Sequence, residues 1–161
     1  MDTWLAIASR REVRDYADTP IPPDVERRIL EAGRVAGSSQ NTQKWEFVVV
    51  ESKQQELAEA VYYPPNVQTA KLVVAIVGDA AGFDVGRAAS NMQLAAWDEG
   101  VGSCPNGIKD ADAAAAICGG EVKMILSFGY PAKPRDPGAR TADEWASRAK
   151  RKPFDELVRR V

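Results

Sequence analysis

An unbroken apolar run at residues 72–77, Leu-Val-Val-Ala-Ile-Val, constrains the fold of this chain more than any other stretch. The run has the length of a β-strand and carries no polar side chain, which predicts a strand that is covered on both faces. Such a strand lies inside a sheet, with other elements packed above and below it. Since the chain has 161 residues, of which 45 % are hydrophobic, we expect one domain over residues 1–161 with a substantial core.

Other apolar patterns along the chain predict the remaining elements. Strands are predicted at residues 46–51, at residues 122–130 and soon after Gly100. Helices are predicted at residues 3–11, 23–36, 52–61, 83–99 and 110–118. Ser52 with Gln55, and Thr141 with Glu144, have the spacing of a capping box and therefore predict two helix starts.

A polar loop at residues 37–45, Gly-Ser-Ser-Gln-Asn-Thr-Gln-Lys-Trp, lies between a predicted helix and a predicted strand. It is longer than a tight connection needs. Ser38, Ser39, Asn41 and Gln43 offer hydroxyls and carboxamides, which suit a flat heteroaromatic ring with many donors and acceptors. On composition alone an ordinary polar loop is the better-supported interpretation, and the loop by itself leaves both interpretations open.

Two basic clusters lie near opposite ends of the chain. Arg10, Arg11 and Arg14 follow the first predicted helix, and Lys150 and Arg151 belong to a second cluster. Guanidinium groups bind phosphate through paired hydrogen bonds, although solvated arginines at a helix C-terminus give the same pattern. If the clusters converge with the polar loop, the site would hold a phosphate at one end and a polar ring at the other. Flavin mononucleotide (FMN) has this layout.

Composition and patterning argue against several classes of protein. A net charge of −2, from 21 basic and 23 acidic residues, argues against a dedicated nucleic-acid binder. No apolar run is long enough to cross a bilayer and no signal sequence is evident, so we expect a cytoplasmic protein that does not bind membranes. Histidine is absent and no zinc-ligand spacing occurs, so we expect no metal site. Chemistry must then come from carboxylates, thiols, hydroxyls or a cofactor.

A series of short motifs, in the same order along nearly the whole chain, resembles the nitroreductase family of FMN-dependent oxidoreductases. Residues 38–45 look like the family's S-S-x-N-x-Q-P-W, which is the most specific of the matches. The other matches are residues 10–14 with R-R-S-x-R, 84–96 with D-x-G-x-A-x-x-N-m-x-L-A-A, 100–104 with G-L-G-S-C, 128–131 with l-G-x-P and 151–154 with R-K-P-L. Each match is weak alone, but their common order is a strong signal.

The resemblance implies an α+β fold with a central, mainly antiparallel sheet flanked by helices, and a homodimer with FMN at the subunit interface. The helix at residues 83–99 would pack between the subunits, and the polar loop would reach across from the other subunit. Asn106 and Gly107 would lay their backbone against the edge of the flavin ring near N5. The implied cofactor-binding residues are Arg10, Arg11, Arg14, Ser38, Ser39, Asn41, Gln43, Asn106, Gly107, Lys150 and Arg151.

The resemblance also implies the chemistry. The flavin would take hydride from NAD(P)H and pass it, in a ping-pong cycle, to a nitroaromatic, quinone-like or similar small acceptor, with no catalytic protein residue. Three departures qualify this expectation: Glu12 replaces a serine, Lys44 replaces a proline, and only residues 62–68 stand where many relatives have a long helical lid. The alternatives are a non-catalytic flavin-binding or interaction protein, or another FMN chemistry such as dehalogenation or flavin fragmentation.

Overall fold

The apolar run at residues 72–77 is an inner strand of a four-stranded antiparallel sheet. The computed structural model describes residues 1–161. The strands are β1 (Glu46–Val49), β2 (Leu72–Val77), β3 (Gly102–Asn106) and β4 (Val122–Gly129), in the spatial order β1-β2-β4-β3. Every residue of β2 is buried, as its sequence predicts. The expected α+β class with an antiparallel sheet is therefore confirmed.

The helices lie close to their predicted positions. They are α1 (Thr3–Ser9), α2 (Pro23–Arg34), α3 (Gln54–Glu59), α4 (Pro65–Gln68), α5 (Gly82–Asp98), α6 (Ala111–Cys118), α7 (Ala142–Ser147) and α8 (Phe154–Leu157). Pro23 occupies the start of α2, where its missing N–H leaves no hydrogen bond unmade. Gly100 has a φ of +74° just after α5, the left-handed conformation that ends many helices.

Each face of the sheet is covered by its own group of helices. On one face, Val74, Ile76 and Phe128 form a core with Ile29 of α2 and Met92 of α5. Side chains alternate along a strand, so the residues between these point to the opposite face. There α4 contacts β3, and α6 contacts β4. The hydrophobic residues of both faces therefore leave water, and this burial holds the strands in register.

The predicted capping box at Ser52 is not formed, which corrects one expectation. Helix α3 begins at Gln54, and its N-cap Lys53 makes no side-chain capping bond. The carboxamide of Gln54 instead donates to the carbonyl oxygens of Val67 (2.7 Å) and Ala70 (3.0 Å). These bonds tie α3 to the segment that contains α4, a one-turn helix that the sequence patterns did not predict.

Backbone contacts divide the chain into two compact units. The smaller consists of residues 1–10 and 136–161, and in it α1 packs against α7. Thr141 caps α7 through the predicted capping box with Glu144, so that prediction is confirmed. The larger unit, residues 11–135, contains the sheet and helices α2 to α6. The single domain over residues 1–161 stays a prediction.

No helix combines the length and apolar character that crossing a bilayer requires.

Candidate functional site

The outer edge of β3 presents an unpartnered backbone donor at Gly107. The carbonyl of Ser103 points away from β4 and accepts a hydrogen bond from the N–H of Val13 (3.0 Å). Backbone groups alternate in direction along a strand, so those of Pro105 and Gly107 also point away from β4. Gly107 accepts the N–H of Tyr62 through its carbonyl (3.0 Å), whereas its own N–H donates to no group of the chain. Gly107 is exposed, so this donor is available to a bound molecule.

Asn106 directs its N–H and carbonyl toward β4, where it pairs with Ile125, so only the peptide that joins it to Gly107 reaches this edge. Its side chain is turned under the sheet, where the residue is 6 % exposed and Nδ2 donates to Ser127 Oγ (3.1 Å) and to the Cys104 carbonyl (3.1 Å). The backbone role that the sequence resemblance implies for Asn106 stays a prediction. Cys104 is 2 % exposed, so its thiol is buried rather than presented at the surface.

Arg14 lies in a cationic cavity of about 310 Å³ together with Lys133 and Arg135. Glu12 and Asp15 also line this cationic cavity, so cations outnumber carboxylates by one. The cavity forms because the segment before α2 runs beside the segment after β4, where Ala132 N–H donates to the Asp15 carbonyl (2.9 Å). Lys133 and Arg135 were not predicted as site residues. Their signal is the Ala-Lys-Pro-Arg sequence that follows the Gly-Tyr-Pro at the end of β4.

The remaining basic residues are divided between the two units. Arg11 is half-buried and belongs, like Arg14, to the larger unit. Arg10 follows α1 in the smaller unit and is half-buried. Lys150 and Arg151 follow α7 in the same small unit and are both exposed. Their expected contribution to a phosphate site stays a prediction.

The polar loop at residues 37–45 is held by its own side chains in a strained backbone. Ser38 Oγ accepts the N–H of Gln43 (2.9 Å), and Gln43 Nε2 donates to the Asn41 carbonyl (3.2 Å). Gln40, Asn41 and Gln43 have φ values of +51°, +56° and +48°, in the left-handed region that side chains disfavour. Such strain persists only where surrounding contacts enforce it, and it concentrates at functional sites.

Asp84 anchors this loop and was missed as a site residue. One carboxylate oxygen accepts the backbone N–H of Ser39 (3.0 Å), and the other lies 3.7 Å from the guanidinium of Arg87. Asp84 is 6 % exposed, and its position in the first turn of α5 suits a negative charge because of the helix dipole. The signal was the aspartate that opens the motif at residues 84–96.

The structure does not bring the polar loop and the β3 edge together within one chain. The loop leads into β1, and β1 and β3 are opposite edges of the sheet. Three inter-strand steps of roughly 4.8 Å separate them by about 14 Å, with the body of the sheet between them. One chain therefore presents two separate groups of site residues, one at each edge.

Solved structures with this fold include a protein bound to FMN and a protein bound to NAD⁺. A Desulfovibrio desulfuricans protein crystallised in complex with FMN has a TM-score of 0.81 to this chain and 25 % sequence identity, covering 98 % of this chain and 96 % of that one. The Vibrio harveyi NADPH:FMN oxidoreductase, crystallised with NAD⁺, also has a TM-score of 0.81, at 22 % identity, covering 96 % of this chain and 75 % of that one.

Curated sequences and a family model identify the family. An NADH dehydrogenase from Thermus thermophilus is 35 % identical over 81 residues, which are 49 % of this chain and 40 % of that protein. A relative from Methanothermobacter thermautotrophicus is 29 % identical over 118 residues, 67 % of this chain and 62 % of its own. The chain thus spans less than two thirds of the length of either relative. The model of the Nitroreductase family matches residues 7–81 and 78–130, so the chain belongs to the Nitroreductase family.

Proposed function

We propose that this chain is an FMN-dependent NAD(P)H oxidoreductase that acts as a homodimer. The observation that carries the proposal is the β3 edge, which presents the free N–H of Gly107 at one end and the cationic cavity toward the other. Val13 is bonded to Ser103, four residues before Gly107, so the two features are roughly 13 Å apart along the strand. FMN has the same layout, with ring acceptors at one end, a phosphate at the other, and a ribityl chain between.

The residues present fit FMN at both of its ends. A phosphate dianion suits a cavity lined by Arg14, Lys133 and Arg135, because guanidinium and ammonium groups form charge-assisted hydrogen bonds with it. At Gly107 a Cβ would lie 3.0 Å from the Tyr62 ring, so glycine keeps the edge open for close approach of a flat ring. The Desulfovibrio desulfuricans relative that crystallised with FMN supports this assignment.

A second copy of the chain would complete each site. The polar loop at residues 38–43 lies at the opposite edge from β3, so a loop from the partner would face the flavin bound at the first chain's β3 edge. Helix α5 offers the surface for this pairing, with exposed residues spaced along one face at Phe83, Gly86, Arg87, Ser90 and Asn91. Gln93 and Trp97 of the same helix are 7 % and 4 % exposed, so they are buried within one chain and do not contribute to this surface.

Bound FMN would supply the redox chemistry, receiving hydride from NAD(P)H and delivering it to a small acceptor such as a quinone or nitroaromatic compound. The protein would bind FMN, orient its ring and leave one face of the ring accessible to the donor and the acceptor. Gly107 N–H would hold the ring edge, the cationic cavity would hold the phosphate, and the short segment at residues 62–68 would leave the ring face open. Donor and acceptor would then use the same open face in turn, which is a ping-pong order.

Visible absorbance of the purified protein tests this proposal. We expect flavin bands after addition of FMN, and their loss when NADH or NADPH is added without oxygen. Light scattering should give twice the 17.5 kDa chain mass. Bands that persist with both nicotinamides would indicate the non-catalytic flavin-binding alternative, and failure to bind FMN in excess would refute the proposal.

The cationic cavity is tested by comparing FMN with riboflavin, which lacks the phosphate. Replacing Lys133 and Arg135 together by methionine should lower the affinity for FMN about ten-fold or more, since two charge-assisted hydrogen bonds are lost. Riboflavin affinity should stay the same. Equal weakening of both ligands would show that the two residues do not contact the phosphate.

A further inference from the structure

A buried polar cluster lies directly beneath the β3 edge. It consists of Tyr16, Ser127 and Asn106, which we call the Asn106 cluster, and the three residues are 8 %, 0 % and 6 % exposed. They come from different parts of the larger unit: the segment before α2, the end of β4 and the end of β3. The activity proposed above does not account for this cluster, and burying polar side chains costs free energy unless they are hydrogen-bonded.

The hydrogen bonds of the cluster meet at Ser127. Tyr16 lies with its hydroxyl 3.1 Å from the Ser127 carbonyl oxygen and 3.0 Å from Ser127 Oγ. Ser127 Oγ donates to the Cys104 carbonyl (3.2 Å) and accepts from Asn106 Nδ2 (3.1 Å). Asn106 Nδ2 has a second proton, for which the carbonyl oxygens of Cys104 (3.1 Å) and Ile125 (3.4 Å) are available. Every proton of the three side chains can therefore find an acceptor.

This arrangement permits only one orientation of the Asn106 carboxamide. Rotating it by half a turn would point Oδ1 at two carbonyl oxygens, an arrangement in which acceptors repel. In the observed orientation Asn106 Oδ1 is buried and has no hydrogen-bond partner. Asn106 Nδ2 is therefore fully hydrogen-bonded, whereas Oδ1 is buried without a partner. The unsatisfied Oδ1 lowers the stability of the folded protein, while the bonds of Nδ2 fix the orientation of the side chain.

Tyr16 remains a neutral donor under ordinary conditions. Burial raises the pKa of its hydroxyl well above the usual value, and this effect exceeds the opposing effect of the hydrogen bond with Ser127. Tyr16 therefore keeps its proton across the neutral range and can donate it to the Ser127 carbonyl oxygen. Because Ser127 Oγ donates its own proton to the Cys104 carbonyl, its lone pairs are left to accept from Asn106 Nδ2.

We propose that Ser127 and Tyr16 are positioning residues for the flavin ring, acting through Asn106 on the peptide that joins Asn106 to Gly107. The side chain of Asn106 ties the last residue of β3 to β4, and the next peptide carries the exposed N–H of Gly107. Fixing Asn106 limits rotation of that peptide. The N–H then stays directed at the ring edge near N5 rather than sampling other orientations. This inference rests on the proposed function.

Binding of FMN and of 5-deaza-FMN, measured by fluorescence titration, tests the proposal. In 5-deaza-FMN a C–H group replaces N5, so the ring keeps its shape but loses the acceptor at that position. The wild-type protein should bind FMN more tightly than 5-deaza-FMN. Ser127→Ala should weaken FMN about ten-fold, the equivalent of one hydrogen bond, and leave 5-deaza-FMN nearly unchanged. The ratio of the two dissociation constants should fall toward one.

Tyr16→Phe provides a milder test that retains the packing of the ring. It leaves the hydrogen bond between Ser127 and Asn106 in place, so we expect the affinity for FMN to fall about three-fold. The ratio of the two dissociation constants should lie between that of the wild type and that of Ser127→Ala. This variant decides the question if Ser127→Ala does not fold.

Ser103→Ala is the matched control. Ser103 is also a buried serine of the β3–β4 pair, 2 % exposed, but its hydroxyl faces the other side of the sheet and accepts from Gln93 Nε2 (3.2 Å). It should lower stability without changing the ratio for the two flavins. An unchanged ratio in the Ser127 and Tyr16 variants, or a wild-type ratio of one, would overturn the positioning role. If the wild-type protein binds neither flavin, the proposed function itself is wrong and the inference falls with it.

Discussion

Gly102→Ala tests whether the packing of Val13 against β3 holds Arg14 in the cationic cavity. A Cβ at residue 102 would lie 2.5 Å from Val13 Cγ2 and 2.6 Å from Val13 Cβ, closer than non-bonded carbons approach. Val13 is 3 % exposed and its N–H is bonded to the Ser103 carbonyl, so its side chain has no free space to enter. The segment that carries Arg14 must therefore move away from β3.

The cost of this movement is set by overpacking, which is usually about 1–3 kcal/mol. For a chain of this size each kcal/mol lowers the melting temperature by roughly 2–4 °C, so we expect a loss of about 2–12 °C. Displacement of Arg14 should also lower the affinity for FMN more than the affinity for riboflavin, because only FMN has the phosphate that Arg14 would bind. The melting temperature by calorimetry and the two flavin affinities check both statements.

Two further variants sharpen this test. Gly82→Ala introduces the same methyl group at a position with nothing within 4 Å, so it should change the melting temperature little. Val13→Ala removes the methyl groups at 2.5 and 3.0 Å and keeps the Cβ at 2.6 Å, so it relieves part of the clash. The double variant with Gly102→Ala should therefore lose less stability than the sum of the single variants. Additive losses, or equal effects of Gly102→Ala and Gly82→Ala, would refute the argument that Val13 holds Arg14 in place.

Three other predictions follow from individual contacts. Asp84→Ala removes the acceptor of the Ser39 N–H, so amide hydrogen exchange should become faster at residues 38–43 and FMN should bind more weakly, while exchange in β4 stays unchanged. Thr141→Ala removes the capping box of α7 and should destabilise that helix by about 1 kcal/mol, seen as faster exchange at residues 142–147. The hydrogen bond from Lys71 lowers the pKa of Asp18, so its stabilising effect is present above pH ~4 and is lost as the pH falls further. The melting temperatures of the wild type and Asp18→Asn should therefore differ at pH 6 and converge toward pH 2.

The elements with strong apolar patterns were predictable from the sequence, because burial alone decides them. The strand at residues 72–77 was predicted with its observed bounds, and α5 begins and ends one residue before its predicted limits. Ser52 shows where local patterns fail. Its spacing to Gln55 fits a capping box, yet the neighbouring Gln54 bonds to carbonyl oxygens beyond α3, and the helix starts later. A contact between distant residues overrides the local signal there.

The candidate site was only partly predictable, for a similar reason. The family resemblance implied Arg14, Asn106 and Gly107 as cofactor-binding residues, which stays a prediction. It did not imply Lys133, which joins Arg14 only because the segment after β4 runs beside the segment before α2. Motif spacing also cannot show that the polar loop and β3 lie at opposite edges of the sheet. That fact depends on the strand order, in which β2 and β4 stand between the two edges.

Strand β3 shows how the needs of the site explain an unfavourable local sequence. Its residues and the next, Gly-Ser-Cys-Pro-Asn-Gly, include two glycines and a proline, which strands disfavour. Gly102 leaves room for Val13, which sets the position of Arg14. Pro105 occupies an outward-facing position, where its missing N–H removes no bond to β4. Gly107 keeps its N–H exposed and its surface open, while Asn106 beside it is fixed from below by Ser127. Each residue that weakens β3 as a strand thus contributes to the edge at which we place the flavin. Better strand formers at Gly102 or Gly107 would bring a side chain against Val13 or Tyr62 and so disturb that edge.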